Sequence, residues 1–225
     1  FGGLVSAHIL HTDDNRRNIK TRYYNADPWW LNTDISDDDD IWGTSEVNAT
    51  DVHWAMQTSY DFFETEYGRY GMRDTITDPI LRVSVSKNSN SPADLAPTAY
   101  TLPGLNTFDR ISIRYTDLGF TGTLGVCAHE YMHGITTHTA FLKYEYESGA
   151  LNESFSDIFG FVVKNHINNN YDWTIAQGLL THHRRLDEPK LAGRHYLVDA
   201  ATNSCVLGIG QPDTYLGQNW YSNSC

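Results

Sequence analysis

Three stretches of the chain repeat apolar residues with a helical period, and two shorter ones alternate with the period of a strand. From Asp51 to Gly68 the apolar positions Val52, Met56, Tyr60, Phe63 and Tyr67 recur every three or four residues, which predicts an amphipathic helix stopped by Gly68. His53 on that helix reads as a structural histidine. Leu124 to His138 predicts a second helix. A third is predicted from Asn152 onward, with Phe155, Ile158, Phe159, Val162 and Val163 as its apolar stripe and Gly149 as a permissive turn position before it. Ile80 to Val85 and Arg110 to Tyr115 alternate as strands do. Phe1 to Leu31 mixes short apolar runs with turn signals such as Asp13-Asp14-Asn15 and Asp27-Pro28, and reads as strands and loops.

With 225 residues and 40% hydrophobic content, the chain can bury a core and holds one or two domains. No apolar run approaches the roughly eighteen residues of a membrane span. A net charge of −12 argues against a nucleic-acid partner, which needs a basic face, and is compatible with a secreted, cation-binding protein. A start at Phe1 suggests a mature form from which a leader has been removed. Three cysteines do not make a disulfide framework. Cys127 reads as a small buried hydrophobe, and Cys205 and Cys225 remain as a possible pair. The acidic run Asp37-Asp38-Asp39-Asp40 is either a solvated loop or a calcium site. It is no EF-hand, because counting from Asp34 puts Asp39 where glycine is needed and Ser45 where the bidentate glutamate belongs.

The chemistry concentrates between Val126 and Gly160. In His129-Glu130-Tyr131-Met132-His133 the four-residue step returns both imidazoles to one face of a helix, where they can share a metal ion. Glu130 lies about 100° round the helix, beside that ion. Glu153, in Asn152-Glu153-Ser154-Phe155-Ser156-Asp157, supplies a carboxylate for a third coordination position. Asp157, one turn further, can orient a ligand histidine. Two histidines and a carboxylate leave the fourth tetrahedral position open for water, the arrangement of a catalytic zinc. Paired histidines alone are more often packing residues. The downstream Glu-x-x-x-Asp on an apolar helix is what favours the metal.

At these residues the chain resembles the thermolysin-like zinc metallopeptidases, the gluzincins. Ser148 to Gly160 is similar almost letter for letter to that family's third-ligand helix, and the likeness runs from Asp51 to Gly68 and from Val126 to about Asp172. It implies an α+β fold with a mostly β N-terminal lobe over residues 1–122, and a zinc-helix hairpin with the start of a helical C-terminal lobe over 123–225. It implies a secreted, bacterial zinc endopeptidase acting on peptide or protein substrates. Carried over residue by residue, Glu130 is the general base, Tyr144 an oxyanion donor, and Arg184 a substrate-binding arginine, with Arg185 as its alternative. Asn106 is the candidate for a substrate amide contact, and Asp38 and Asp40 fall near the family's calcium ligands.

Two departures from the family matter. Gly125, Lys164, Thr174 and Gln177 stand where a paired calcium site would need acidic side chains, leaving only Asp172, so no such site is expected. The family's last catalytic histidine would follow Cys225. The expectation is therefore one piece of a cleaved enzyme, completed by a separate C-terminal piece. The rivals are a zinc-binding subunit that cleaves weakly or not at all, and a calcium-dependent adhesive module. Were the chain active alone, His182, His183 and His195 would be the candidate proton donors. Asn48-Ala49-Thr50 and Asn152-Glu153-Ser154 both fit the N-glycosylation pattern, and a glycan on Asn152 would crowd the metal ligand.

Overall fold

The computed structural model describes residues 13–14, 17–23, 33–34, 47–75, 80–87, 98–100, 108–116, 119–120, 122–143, 145–169, 171–175, 184–188, 195–199 and 204–208. The elements in chain order are β1 (Asp13–Asp14), β2 (Ile19–Tyr23), β3 (Thr33–Asp34), α1 (Val47–Tyr67), β4 (Leu81–Lys87), β5 (Thr98–Tyr100), β6 (Phe108–Thr116), β7 (Gly119–Phe120), α2 (Leu124–Thr139), α3 (Tyr146–Asn168), β8 (Thr174–Ile175), β9 (Arg184–Arg185), β10 (His195–Asp199) and β11 (Ser204–Gly208). Strands and helices are largely segregated along the first 164 residues, the α+β arrangement that the family resemblance implies. The chain divides into two compact units, Phe1–Lys164 and Asn165–Cys225.

In the first unit a seven-stranded sheet runs β1-β2-β4-β6-β5, with β3 on β2 and β7 on β6. Its centre is parallel: β2 pairs β4, and β4 pairs β6. A parallel step needs a crossover, and α1 supplies the one between β2 and β4. The register aligns Ile19 with Leu81, and Leu81 with Asp109; the next core row is Thr21, Val83 and Ile111, and Val85 then faces Ile113. All of these are buried, so one sheet face is the floor of the core. Only Thr21 and Asp109 are polar among them, and both have partners. The Thr21 hydroxyl lies 2.8 Å from His53 Nδ1 on α1. Asp109 accepts two hydrogen bonds from Arg73, at 3.1 and 3.2 Å, and lies 2.9 Å from His138 Nε2 at the end of α2.

Helix α1 buries Ala49, Val52, Ala55, Met56, Phe62 and Phe63 and ends at Gly68, whose φ of +63° suits a residue without Cβ. Tyr67, expected on its apolar stripe, is mostly exposed. Helix α2 is buried continuously from Leu124 to Thr136. On one side Tyr131 stacks on Phe63 of α1, with ring centroids 5.8 Å apart. On another, α3 approaches so closely that a Cβ on Gly160 would lie 2.5 Å from the Gly125 carbonyl oxygen and 3.3 Å from His129 Cβ. That contact requires glycine, and it brings the third helix against the first histidine.

Helix α3 starts six residues before the expected Asn152. Gly149 is therefore a buried helical residue, its N–H bonded to the Glu145 carbonyl at 3.0 Å, and the turn falls earlier, between Ala140 and Glu145. Of the expected stripe, Val163 is buried and Phe159 and Val162 pack on the core, whereas Phe155 and Ile158 face outward. In the second unit β8 pairs β9 and β10 pairs β11, both antiparallel. The Asp172 carboxylate caps the turn into β8, accepting from the Thr174 N–H at 2.9 Å and from the Thr174 hydroxyl.

Candidate active site

Helix periodicity puts His129 and His133 on one face of α2, and α3 supplies their remaining neighbours. The two Nε2 atoms lie 3.0 Å apart. Glu153 Oε2 is 3.4 Å from His129 Nε2, and Glu153 Oε1 is 3.4 Å from His133 Nε2. Glu130, one residue along from His129, brings Oε1 to 3.7 Å from His129 Nε2. His129, Glu130 and His133 form a buried group whose candidate ligand atoms all lie within 4.8 Å of one another. Of the two carboxylates, Glu153 addresses both imidazoles at equal distance. Glu130 lies 3.7 Å from His129 Nε2 and is almost fully buried.

The opposite ring atoms of the histidines are held separately. His129 Nδ1 lies 2.8 Å from Asp157 Oδ1, and His133 Nδ1 lies 2.9 Å from Asn152 Oδ1 and 3.0 Å from the Ser156 hydroxyl. Thr136 donates to the same Asn152 oxygen at 2.7 Å. Carboxylate and amide oxygens only accept, so the Nδ1 atoms carry the protons and the Nε2 lone pairs converge on Glu153. Three lone-pair donors facing one another are unfavourable without a cation. Their spacing of 3.0 to 3.4 Å fits the edges of a tetrahedron with metal bonds of about 2.0–2.1 Å. The residues present therefore suit a zinc ion.

The electrostatics agree. Burial is the largest influence on His129 and disfavours its charged form. Hydrogen bonds to Asp157 and Glu153, with the charges of Glu130 and Asp157, outweigh it and raise its pKa to about 9. Three carboxylates around one imidazole thus favour a positive charge at this point, and a proton and a metal ion compete for the same Nε2. Cys127, on the same helix, is buried, and its thiol pKa is pushed up by burial and by the nearby charges of Glu130 and Asp51. It stays a neutral packing residue.

The structure therefore brings together His129, Glu130, His133, Glu153 and Asp157. Tyr144, Asn106, Asp38, Asp40, His182, His183 and Cys225 lie outside the described residues. Arg184 is described only as backbone in β9, and Arg185 pairs with Asp187 at 2.6 Å. Sequence reasoning missed Asn152, Ser156 and Thr136 as the residues that hold His133. A usable signal existed, since Asn152 and Ser156 stand one helical turn apart and each precedes an acidic site residue. The burial of Asn152 also takes the second glycosylation pattern out of reach of a glycan.

Residues 6–137 match the catalytic domain of the thermolysin metallopeptidases, and residues 140–221 match their alpha-helical domain. Thermolysin from Alicyclobacillus acidocaldarius is 30% identical over 187 residues, 79% of this chain and 29% of that protein. Bacillolysin from Bacillus amyloliquefaciens is 31% identical over 136 residues, 60% of this chain and 24% of that protein. The chain thus spans less than a third of the length of these relatives. Among solved structures, the precursor of protealysin, a metalloproteinase from Serratia proteamaculans, superposes with a TM-score of 0.58 at 20% identity, covering 91% of this chain and 62% of that one. With family matches to both domains and a buried His-Glu-His group within the first of them, the chain belongs to the thermolysin metallopeptidase family.

Proposed function

We propose that this chain carries the catalytic centre of a secreted bacterial zinc endopeptidase, in which His129, His133 and Glu153 hold the metal and Glu130 is the general base. The convergence of two imidazole lone pairs and one carboxylate at 3.0 to 3.4 Å is the observation that carries the reading. The bacterial relatives support its source. Zinc bound there supplies a Lewis acid that lowers the pKa of a coordinated water towards neutrality.

The protein's own residues do the rest. Glu130 lies beside the three donors, where its buried carboxylate can take a proton from the attacking water and return it to the departing amine. Asp157 holds Nδ1 of His129 in an ion pair at 2.8 Å, whereas Asn152 holds that of His133 in a neutral hydrogen bond, so the two ligands differ in basicity. Tyr144 and Arg184 are the proposed donors to the oxyanion and to a substrate carbonyl, Asn106 to a substrate amide. Asp38 and Asp40 are the proposed calcium ligands. The N-terminal lobe is taken as residues 1–122 and the zinc hairpin with the C-terminal lobe as 123–225. A second reading, a zinc-binding piece that cleaves weakly until a C-terminal piece covers α3, is favoured by the outward-facing Leu151, Phe155 and Ile158 beside Glu153.

Metal analysis of the purified protein should give one zinc per chain. Glu130→Gln should keep that zinc and lose turnover by about 10²–10⁴-fold on an internally quenched peptide. Loss of zinc from Glu130→Gln, or full zinc retention in His133→Ala, would overturn the assignment.

A further inference from the structure

His133 can offer a lone pair at Nε2 only while its proton sits on Nδ1, and the group that holds the proton there is an amide, whose two ends have nearly the same shape. Asn152 presents its oxygen, Oδ1, at 2.9 Å from His133 Nδ1. Turned over, its NH2 group would donate to Nδ1 and drive the proton onto Nε2, where the metal belongs. The Ser156 hydroxyl, 3.0 Å from the same Nδ1, can accept or donate and so serves either tautomer. His129 faces no such choice, because the Asp157 carboxylate opposite its Nδ1 only accepts. The tautomer of His133 therefore depends on which end of Asn152 is held towards it.

Thr136, on the same helix as His133, is placed to hold it. Its hydroxyl lies 2.7 Å from Asn152 Oδ1 and 2.9 Å from the His133 carbonyl oxygen, and it has one proton to give. That carbonyl is already served. Four residues on in α2, Thr137 brings its helical N–H to it, and the Thr137 hydroxyl donates to it at 2.8 Å, so both lone pairs are used. The Thr136 proton goes to Asn152 Oδ1, the shorter of its two contacts. With the amide turned over, Thr136 would have to accept from the NH2 group and share the crowded carbonyl with Thr137. Thr136 is 3% and Asn152 5% exposed, so water offers little in exchange and a poorly satisfied proton is costly there. We propose that Thr136 is a positioning residue for His133: by donating to Asn152 it holds the amide with its oxygen inward and keeps the Nε2 lone pair free for the metal. This rests on the zinc reading of the site and deepens it.

The test uses the full chain with Thr136→Val, which keeps the shape and removes the hydroxyl, and Thr136→Ser, which restores it, each in the wild-type and in the Asn152→Ala background. Zinc affinity is read by chelator competition, and the His133 tautomer by nitrogen NMR on metal-free protein labelled at histidine. Thr136→Val should lower zinc affinity about fivefold, the scale of one neutral hydrogen bond, and move His133 away from the Nδ1–H form held in wild type. Thr136→Ser should stay within about twofold of wild type. A loss caused by altered packing would persist in the Asn152→Ala background, whereas a loss that runs through Asn152 should vanish there. If wild type binds no zinc, the metal reading fails, and the tautomer in Thr136→Val still decides the role of Thr136. An unchanged tautomer in Thr136→Val, a wild-type His133 in any form other than Nδ1–H, an equal loss in Thr136→Ser, or a loss that persists in the Asn152→Ala background overturns the proposal.

Discussion

Helices α2 and α3 carry the same site but live in different surroundings. Helix α2 is buried from Leu124 to Thr136, with α1 and α3 against it and its C-terminal end tied to the sheet. Helix α3 buries Asn152, Ser156, Gly160 and Val163 and leaves Leu151, Phe155 and Ile158 outward. The two proposed ligand imidazoles and the candidate base are thus set in the core, while the proposed third ligand, Glu153, comes from a one-sided helix with its side chain 32% exposed. A metal site gains from this division. The buried side excludes water and fixes orientation, and the open side admits substrate.

The sharpest break of the comparison is in the core. Tyr131 is 1% exposed and stacked on Phe63, so Tyr131→Ala should cost about 3–5 kcal/mol, read as a lower denaturation midpoint in urea. A loss below about 1 kcal/mol would mean that α2 is not anchored as described.

The tie at the end of α2 comes next. Burial alone would raise the Asp109 carboxyl pKa. Hydrogen bonds from His138 and Arg73, with the charges of both, outweigh it and hold the pKa below its ordinary 3.8. A depressed folded-state pKa contributes stability that is complete above 3.8 and is lost as pH falls through the folded value. Asp109→Asn should therefore cost about 3 kcal/mol at neutral pH, and the gap to wild type should close below pH 3.8. Urea melts across pH would expose a constant gap, which contradicts the linkage.

Much of this contrast was legible in the sequence, for definable reasons. The His-x-x-x-His and Glu-x-x-x-Asp steps equal one helical turn, so the spacing alone put each pair on one face. Strands β4 and β6 were readable as strands, but not their parallel pairing, because that depends on a crossover across the sheet. Asp109 precedes the strand expected from Arg110, and its inward position was not legible because its ion partners Arg73 and His138 lie far away in sequence. Gly149 read as a turn because glycine permits one, yet packing made it helical. Periodicity put Phe155 and Ile158 on an apolar stripe, but it carries no information about what, if anything, covers that stripe.

Between the two helices, the Nδ1 contacts offer a graded test. The bond from His129 to Asp157 is charged, whereas that from His133 to Asn152 is neutral. Asp157→Asn should lower zinc affinity by about 10–100-fold in chelator competition. Asn152→Ala, which removes a neutral bond worth about 1 kcal/mol, should lower it only about fivefold. Equal losses would mean that the charge of Asp157 is immaterial and that only ring orientation counts.

The smallest effect is expected on the outer face of α3. Ile158 is 45% exposed and lies about 100° round α3 from Asp157 and about 140° from Glu153, so its side chain points away from both of those contacts. Surface substitutions of this kind usually change stability by less than about 0.5 kcal/mol. Ile158→Ser should therefore melt within that margin of wild type and leave zinc affinity unchanged, while lowering the tendency to self-associate, because it interrupts the exposed run of Leu151, Phe155 and Ile158. Light scattering and urea melts on the same samples read both quantities. A stability loss near that of Tyr131→Ala would mean that something packs on this face in solution, and the contrast between a core helix and a one-sided helix would no longer hold.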